Sequence, residues 1–105
     1  MGKDLNKVQH IVFICNGNSC LNKGSDDTTN QIRNAIASQN MHDSTHTIRT
    51  RCTGQCEHGP MVFISPQDTW YKQMTPEVSE KLVLRHLVEK QVLQEHLFFM
   101  PEKQD

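Results

Sequence analysis

Apolar residues fall in short runs along this chain, separated by polar and charged segments. Residues 8–14 are rich in β-branched and aromatic side chains, which predicts a buried strand. A helix is predicted over residues 26–39, with Ser25 as its N-cap and two aspartates in its first turn. Its core face carries apolar residues at helical spacing: Ile32, Ala35 and Ile36. Asn40 is a suitable residue to end this helix.

The second half of the chain predicts three more strands and a second helix. The strands are expected at residues 47–51, 61–65 and 69–73, where β-branched and aromatic side chains concentrate. Thr75 is expected to cap the second helix, with Pro76 at its first position, where the missing N–H costs nothing. The buried face of this helix is predicted from its apolar spacing: Val78, Leu82, Val83 and Leu87.

This order of elements, β-α-β followed by β-β-α, predicts an α/β fold. A crossover helix between the first two strands makes them parallel, and the later hairpin adds two antiparallel strands. The expected architecture is thioredoxin-like, a mixed four-stranded sheet with two main helices. We expect a single domain over residues 1–105, with residues 1–7 and 101–105 as flexible tails. In this fold the first strand ends at Cys15, where thioredoxin-like proteins place their reactive cysteines.

Composition and charge narrow the range of partners. A chain of 105 residues with 35% hydrophobic content supports one modest core. The formal net charge of −1 is too near neutral to suggest nucleic acid or an anionic membrane as a partner. No apolar run is long enough to span a bilayer, and the first residues lack the apolar region of a signal peptide. We therefore expect a cytoplasmic protein.

Four cysteines form two close pairs in polar segments that contain glycine: Cys15, Cys20, Cys52 and Cys56. The spacings are Cys-x4-Cys in the first pair and Cys-x3-Cys in the second. In a cytosolic protein, four cysteines are more typical of metal binding than of disulfides. Two such pairs supply the four thiolates that a [2Fe–2S] cluster requires, and glycines in the pairs allow the backbone to approach its sulfurs.

Spacing alone leaves other functions open. Structural zinc sites use cysteine pairs at similar spacing, so iron–sulfur and zinc are about equally favoured at this point. A dithiol redox centre is less favoured, because its usual motif has two residues between the cysteines. Four unrelated buried thiols are disfavoured by the polar residues that flank them. No nucleophile–base arrangement or phosphate-binding signature is present in the sequence, which argues against an enzyme.

His58 and the aromatic pair at 70–71 need separate consideration. His58 forms Cys56-x-His58, which is similar to half of a Rieske site, but the segment between Cys15 and Cys20 contains no histidine. His58 is therefore expected beside the site rather than as a ligand. Trp70 and Tyr71 are expected to pack in the core, with a partner surface as the less favoured role.

Once these motifs are placed on the predicted fold, the chain resembles the thioredoxin-like [2Fe–2S] ferredoxins. The similarity covers roughly residues 9–97. It is strongest in two stretches, HIVFICNGNSC at 10–20 and CTGQCEHGP at 52–60. Shorter blocks follow in order: ISP at 64–66, WY at 70–71, TPE at 75–77 and HL at 86–87.

The resemblance implies a function. It implies a one-electron carrier whose [2Fe–2S] cluster is held by Cys15, Cys20, Cys52 and Cys56, with redox proteins as partners and a homodimer as its assembly. Pro60 falls near the position of the cis-proline of the thioredoxin fold.

Two segments depart from the family. Residues 66–68 lack the glycine that usually completes the hairpin turn, and residues 92–100 are more apolar than expected. The apolar residues 97–100 are expected to pack either on the domain or on a second subunit.

Overall fold

The computed structural model describes residues 4–17, 24–51 and 58–101. Its strands are β1 (His10–Cys15), β2 (Thr45–Thr50), β3 (Val62–Ser65), β4 (Thr69–Tyr71) and β5 (Leu97–Phe99), and its first helix is α1 (Ser25–Ser38). The second helix, α2, spans 76–88 and changes from a 3-10 turn (Pro76–Val78) through an α-helical turn (Ser79–Leu82) to a π-helical segment (Val83–Val88). Short 3-10 turns at Leu5–Lys7 and Gln94–His96 complete the described elements.

The sheet has five strands rather than the predicted four. Its order is β2-β1-β3-β4-β5, with β1 and β2 parallel and every other neighbouring pair antiparallel. The predicted mixed sheet and the order β-α-β then β-β-α are both present. The extra strand, β5, comes from the apolar C-terminal segment and pairs with the outer edge of β4. β5 has three residues and no alternation of apolar and polar side chains, so its pairing with β4 is what identifies it as a strand.

The start of α1 differs by one residue from the prediction. Gly24, not Ser25, is the N-cap, and it adopts a left-handed conformation with φ of 94° that favours glycine. Ser25 is instead the first helical residue and is fully buried. The Thr28 hydroxyl donates to the carbonyl oxygen of Met74 at 2.7 Å, which ties this end of α1 to the segment before α2. At the other end, Asn40 has φ of 55°, as suits a residue after a helix.

The hairpin turn that lacks glycine is closed by Asp68. This residue has φ of 55°, and aspartate is one of the few residues other than glycine that tolerates the left-handed region. The turn also contains a cis Ser65–Pro66 peptide bond, and a second cis bond joins Gly59 to Pro60. The departure from the family at residues 66–68 therefore still forms the β3–β4 hairpin.

The core lies between one face of the sheet and the two helices. Its members include the predicted residues of both helices, except that Val78 is only partly buried: Val12, Ile14, Ile32, Ala35, Ile36, Val62, Ile64, Tyr71, Met74, Leu82, Val83, Leu87 and Leu93. Alternate residues of the strands point to the opposite face. There Phe63 packs between Phe13 and Trp70, with ring centroids 5.7 and 4.9 Å away, and all three are half-buried. Tyr71 is thus a core residue, as predicted, whereas Trp70 lies on the second face.

A chain of polar contacts crosses the helix-covered side of the sheet. The Tyr71 hydroxyl accepts the Leu93 N–H at 3.1 Å and lies 2.7 Å from Nδ1 of His86. Nε2 of His86 lies 3.3 Å from the Gln67 amide oxygen, and the Gln67 amide nitrogen lies 3.5 Å from Nε2 of His10. His86 and His10 are 4% and 6% exposed, so both rings belong to the interior.

Within the described ranges, no helix is long and apolar enough to cross a membrane.

Candidate metal centre

Cys15 is the last residue of β1 and is only 1% exposed. Its backbone N–H donates to the Met61 carbonyl at 3.0 Å, and the next residue, Asn16, donates its N–H to the Thr50 carbonyl at 2.8 Å. The Cys15 thiol donates to the carbonyl oxygen of Arg51 at 3.4 Å. Since β1 and β2 are parallel, the two cysteine-bearing segments leave the sheet at the same edge.

Cys20, Cys52 and Cys56 lie outside the described residues, as does Gly54. Among residues 4–17, 24–51 and 58–101, no group of three or more His, Cys, Asp or Glu side chains could hold a metal ion. Of the four predicted ligands, Cys15 is therefore the one whose surroundings are known. In the sequence, the second pair begins directly after Arg51.

Apolar side chains surround Cys15. Cys15 and Met61, each 1% exposed, form a small buried cluster against which Trp70 and Phe98 pack. We call these four residues the cysteine-side cluster. It lies on the face of the sheet opposite the helices, and it is separate from the main core. An apolar environment of this kind keeps water away from the sulfur of Cys15.

Phe98 reaches this cluster through an irregularity in β5. Trp70 pairs with Phe99 and Tyr71 pairs with Leu97, so Phe98 has no partner of its own in β4. This is a β-bulge, in which two residues of one strand oppose one residue of the next. The Phe98 ring also lies 4.8 Å from the ring of His58. The bulge thus places the Phe98 ring against both the cysteine-side cluster and His58.

The return of the second cysteine segment into the fold is anchored through its backbone. The His58 carbonyl accepts the Gln73 N–H at 2.8 Å, and the Pro60 carbonyl accepts the Met74 N–H at 2.9 Å. Gly59 and Pro60 are buried between these two contacts. The segment that follows Cys56 is therefore held against the chain just beyond β4.

Two parts of this environment were not predicted from the sequence. Strand alternation could have placed Met61 on the same face as Cys15, because Met61 is one residue before the core residue Val62. No sequence signal locates Phe98, since its position depends on the pairing of β5 with β4 and on the bulge.

The largest pKa shift among the described residues lies away from this site. Burial, reinforced by nearby His10, lowers the pKa of His86 to about 4. Burial, and then the Lys90 ammonium, lower the pKa of His10 as well. His10 is the first residue of β1 and Cys15 is the last, so these groups sit at opposite ends of the strand. The histidine pair therefore bears on stability rather than on the metal centre.

Comparison with known proteins identifies the family. The sequence pattern of the family described as "Thioredoxin-like [2Fe-2S] ferredoxin" matches residues 3–86. A Priestia megaterium protein, provisionally named a 2Fe-2S ferredoxin, is 41% identical over 96 residues, covering 91% of this chain and 75% of that protein. A 2Fe-2S ferredoxin of Clostridium pasteurianum is 26% identical over 93 residues, covering 81% of this chain and 91% of the other.

A solved structure agrees with the fold. The thioredoxin-like [2Fe-2S] ferredoxin of Aquifex aeolicus superposes with a TM-score of 0.82 at 22% identity, covering 91% of this chain and 96% of that one. The predicted thioredoxin-like fold is thereby confirmed, with β5 as the correction to the strand count.

The described residues fit the cofactor that this family implies. A [2Fe–2S] core takes thiolate ligands, and Cys15 offers a buried sulfur 3.4 Å from the carbonyl oxygen that precedes Cys52. The apolar cluster around that sulfur suits a site that must exclude water. The cofactor is a [2Fe–2S] cluster and the protein is an electron carrier rather than a classical enzyme. With 84 of its residues, 3–86, matched by the family pattern, this chain belongs to the thioredoxin-like [2Fe–2S] ferredoxin family.

Proposed function

We propose that this protein transfers single electrons through a [2Fe–2S] cluster held by Cys15, Cys20, Cys52 and Cys56. The observation that carries the proposal is the 3.4 Å contact between the Cys15 thiol and the Arg51 carbonyl. Cys52 follows Arg51 directly in the sequence. A contact between the first cysteine of one pair and the residue that precedes the other pair favours a shared centre over two separate ones.

The chain's own residues supply the environment of such a centre. The bulk of the cysteine-side cluster excludes water on the Cys15 side, and the backbone contacts of residues 58 and 60 hold the second segment in place. We propose that redox proteins are the partners, and that the chain has no substrate site of its own. A cytoplasmic location is consistent with four cysteines serving as ligands, since that compartment keeps thiols reduced.

Visible spectroscopy with metal analysis tests this function. We expect anaerobically purified protein to absorb in the visible region, to bleach with dithionite, and to contain about two irons and two acid-labile sulfides per chain. A colourless protein with about one zinc per chain, even after anaerobic reconstitution, would establish the zinc-stabilised module instead. A metal-free chain that exchanges disulfides with an insulin-type substrate would establish the dithiol oxidoreductase.

We further propose that two copies associate through the sheet face opposite the helices. Half-buried Phe13, Phe63 and Trp70 line this face, and Phe99, which pairs with Trp70, is 56% exposed. Contiguous exposed apolar surface on a soluble protein commonly marks an interaction site. A stable interface buries about 800 Å² of each partner.

Light scattering of the loaded protein and two lysine variants tests the dimer. Phe99→Lys places a charge on the proposed interface and is expected to halve the mass. The matched control, Val88→Lys, alters a residue of α2 that is 43% exposed on the helical side, and it should stay dimeric. A wild-type monomer at high concentration would contradict the proposal.

A further inference from the structure

The bulge in β5 changes the position of the Phe98 side chain from the one that regular pairing with β4 would give it. Phe99 pairs with Trp70 and Phe98 is the unpaired residue of the bulge, and it is Phe98 that packs against the cluster of Cys15 and Met61. Phe99 is 56% exposed, so the two adjacent phenylalanines point to different surroundings. Bulges are common beside functional sites because they redirect a side chain.

Phe98 also contacts the second cysteine segment. Its ring lies 4.8 Å from the ring of His58, at an interplanar angle of 36°, and His58 is two residues after Cys56. One aromatic ring therefore touches the cluster built around Cys15 and a residue just beyond Cys56.

We infer that Phe98 is a positioning residue that keeps water from the metal centre and thereby lowers its reduction potential. This inference rests on the proposed ligation of the cluster by Cys15. Reduction adds a negative charge at the site, and water stabilises added charge better than an aromatic ring does. Solvent exposure is one of the factors that set iron–sulfur potentials, so opening this side makes reduction easier.

The test compares the reduction potentials of the loaded wild type and three variants. Phe98→Ala should raise the equilibrium constant for reduction about tenfold, which is ~59 mV for a one-electron couple. Phe98→Leu keeps an apolar side chain over the site, so its potential should rise by only a small part of that shift. Met100→Ala shortens an exposed side chain directly after the same strand and should stay within about twofold of wild type.

Loss of the visible spectrum in the presence of an iron chelator gives a second readout. Phe98→Ala should lose its cluster about fivefold faster than wild type and Met100→Ala, because water and chelator reach the site more easily. If Phe98→Ala holds no cluster at all, Phe98→Leu becomes the test. Its reduction potential must then lie above that of wild type, by less than ~59 mV.

The outcomes separate this inference from the proposed function. If the wild type contains iron and sulfide, and both Phe98 variants match its potential and its rate of cluster loss, the role of Phe98 is overturned and the proposed function stands. A shift of equal size in Met100→Ala also overturns it, because general loosening of the β5 segment would then be the cause. A wild type that cannot hold iron and sulfide overturns the proposed function and this inference together.

Discussion

Replacing Cys15 with alanine is expected to reduce bound iron from about two atoms per chain to nearly none. Cys15 is 1% exposed at the end of β1, and the described residues contain no group of three or more His, Cys, Asp or Glu side chains that could hold a metal ion in its place. Losing one of four thiolates leaves one iron with an incomplete ligand set, and metal binding in small domains depends on the complete set. Iron, sulfide and visible absorption of anaerobically purified protein measure the effect.

Met61→Leu is the control for altered packing at this position. Met61 is equally buried in the cysteine-side cluster and offers similar volume, so its replacement disturbs the same packing and leaves the thiol in place. We expect this variant to keep its cluster. Cys15→Ser should retain some iron, since a hydroxyl can still act as a weak ligand, and Cys56→Ser should likewise weaken or abolish binding. Full iron content in Cys15→Ala would remove Cys15 from the ligands.

Acidification is expected to lower the free energy of unfolding by about 3 kcal/mol through His86. Its pKa is lowered from 6.5 to about 4 by burial and by His10, and each pH unit between those values is worth about 1.36 kcal/mol. Between these pH values the unfolded chain binds a proton that the folded chain excludes. Stability is therefore complete above pH 6.5 and falls as the pH decreases towards 4. His10, whose pKa is also lowered, adds to the loss.

Urea unfolding of the loaded protein between pH 4 and 7 measures this effect, with two histidine variants for comparison. His86→Gln removes the titrating ring and should show a flatter dependence on pH. His42→Gln changes a histidine whose side chain is 76% exposed, and it should follow wild type. Acid-driven loss of the cluster is common to all three proteins, so the difference between variants isolates the ring. Equal slopes in wild type and His86→Gln would contradict the prediction.

Much of this fold could be predicted from local sequence. The strands at residues 10–15 and 62–65 and the helix at 25–38 carry clear patterns, and the crossover between β1 and β2 follows from a chirality and length rule. Cys15 was predicted at the end of β1 because the run of β-branched and aromatic residues at 8–14 ends just before it. The ligand roles of Cys20, Cys52 and Cys56 rest on spacing and resemblance, and they remain predictions because these residues lie outside the described ranges.

The rest depends on contacts between distant parts of the chain. Of the two alternatives for residues 97–100, packing on the domain or on a second subunit, the structure shows β5 on the domain, paired with β4, but nothing local marks Phe98 as the bulged residue. Ser25 looks like a helix cap, yet Gly24 takes that position beside Pro76, whose ring lies 3.6 Å from where a Cβ would be. His86 carries no sequence sign of burial, because its partners Tyr71 and Gln67 reach it only through the tertiary fold.

Trp70 gives the protein an internal optical probe. It is the only tryptophan in the chain, and it packs against the cluster that contains Cys15. An iron–sulfur chromophore absorbs in the region where indole emits, so a cluster held by Cys15, as proposed above, would quench this emission strongly by energy transfer. The fluorescence of the unlabelled protein should therefore report, in real time and at low concentration, whether each molecule has gained or lost its cofactor.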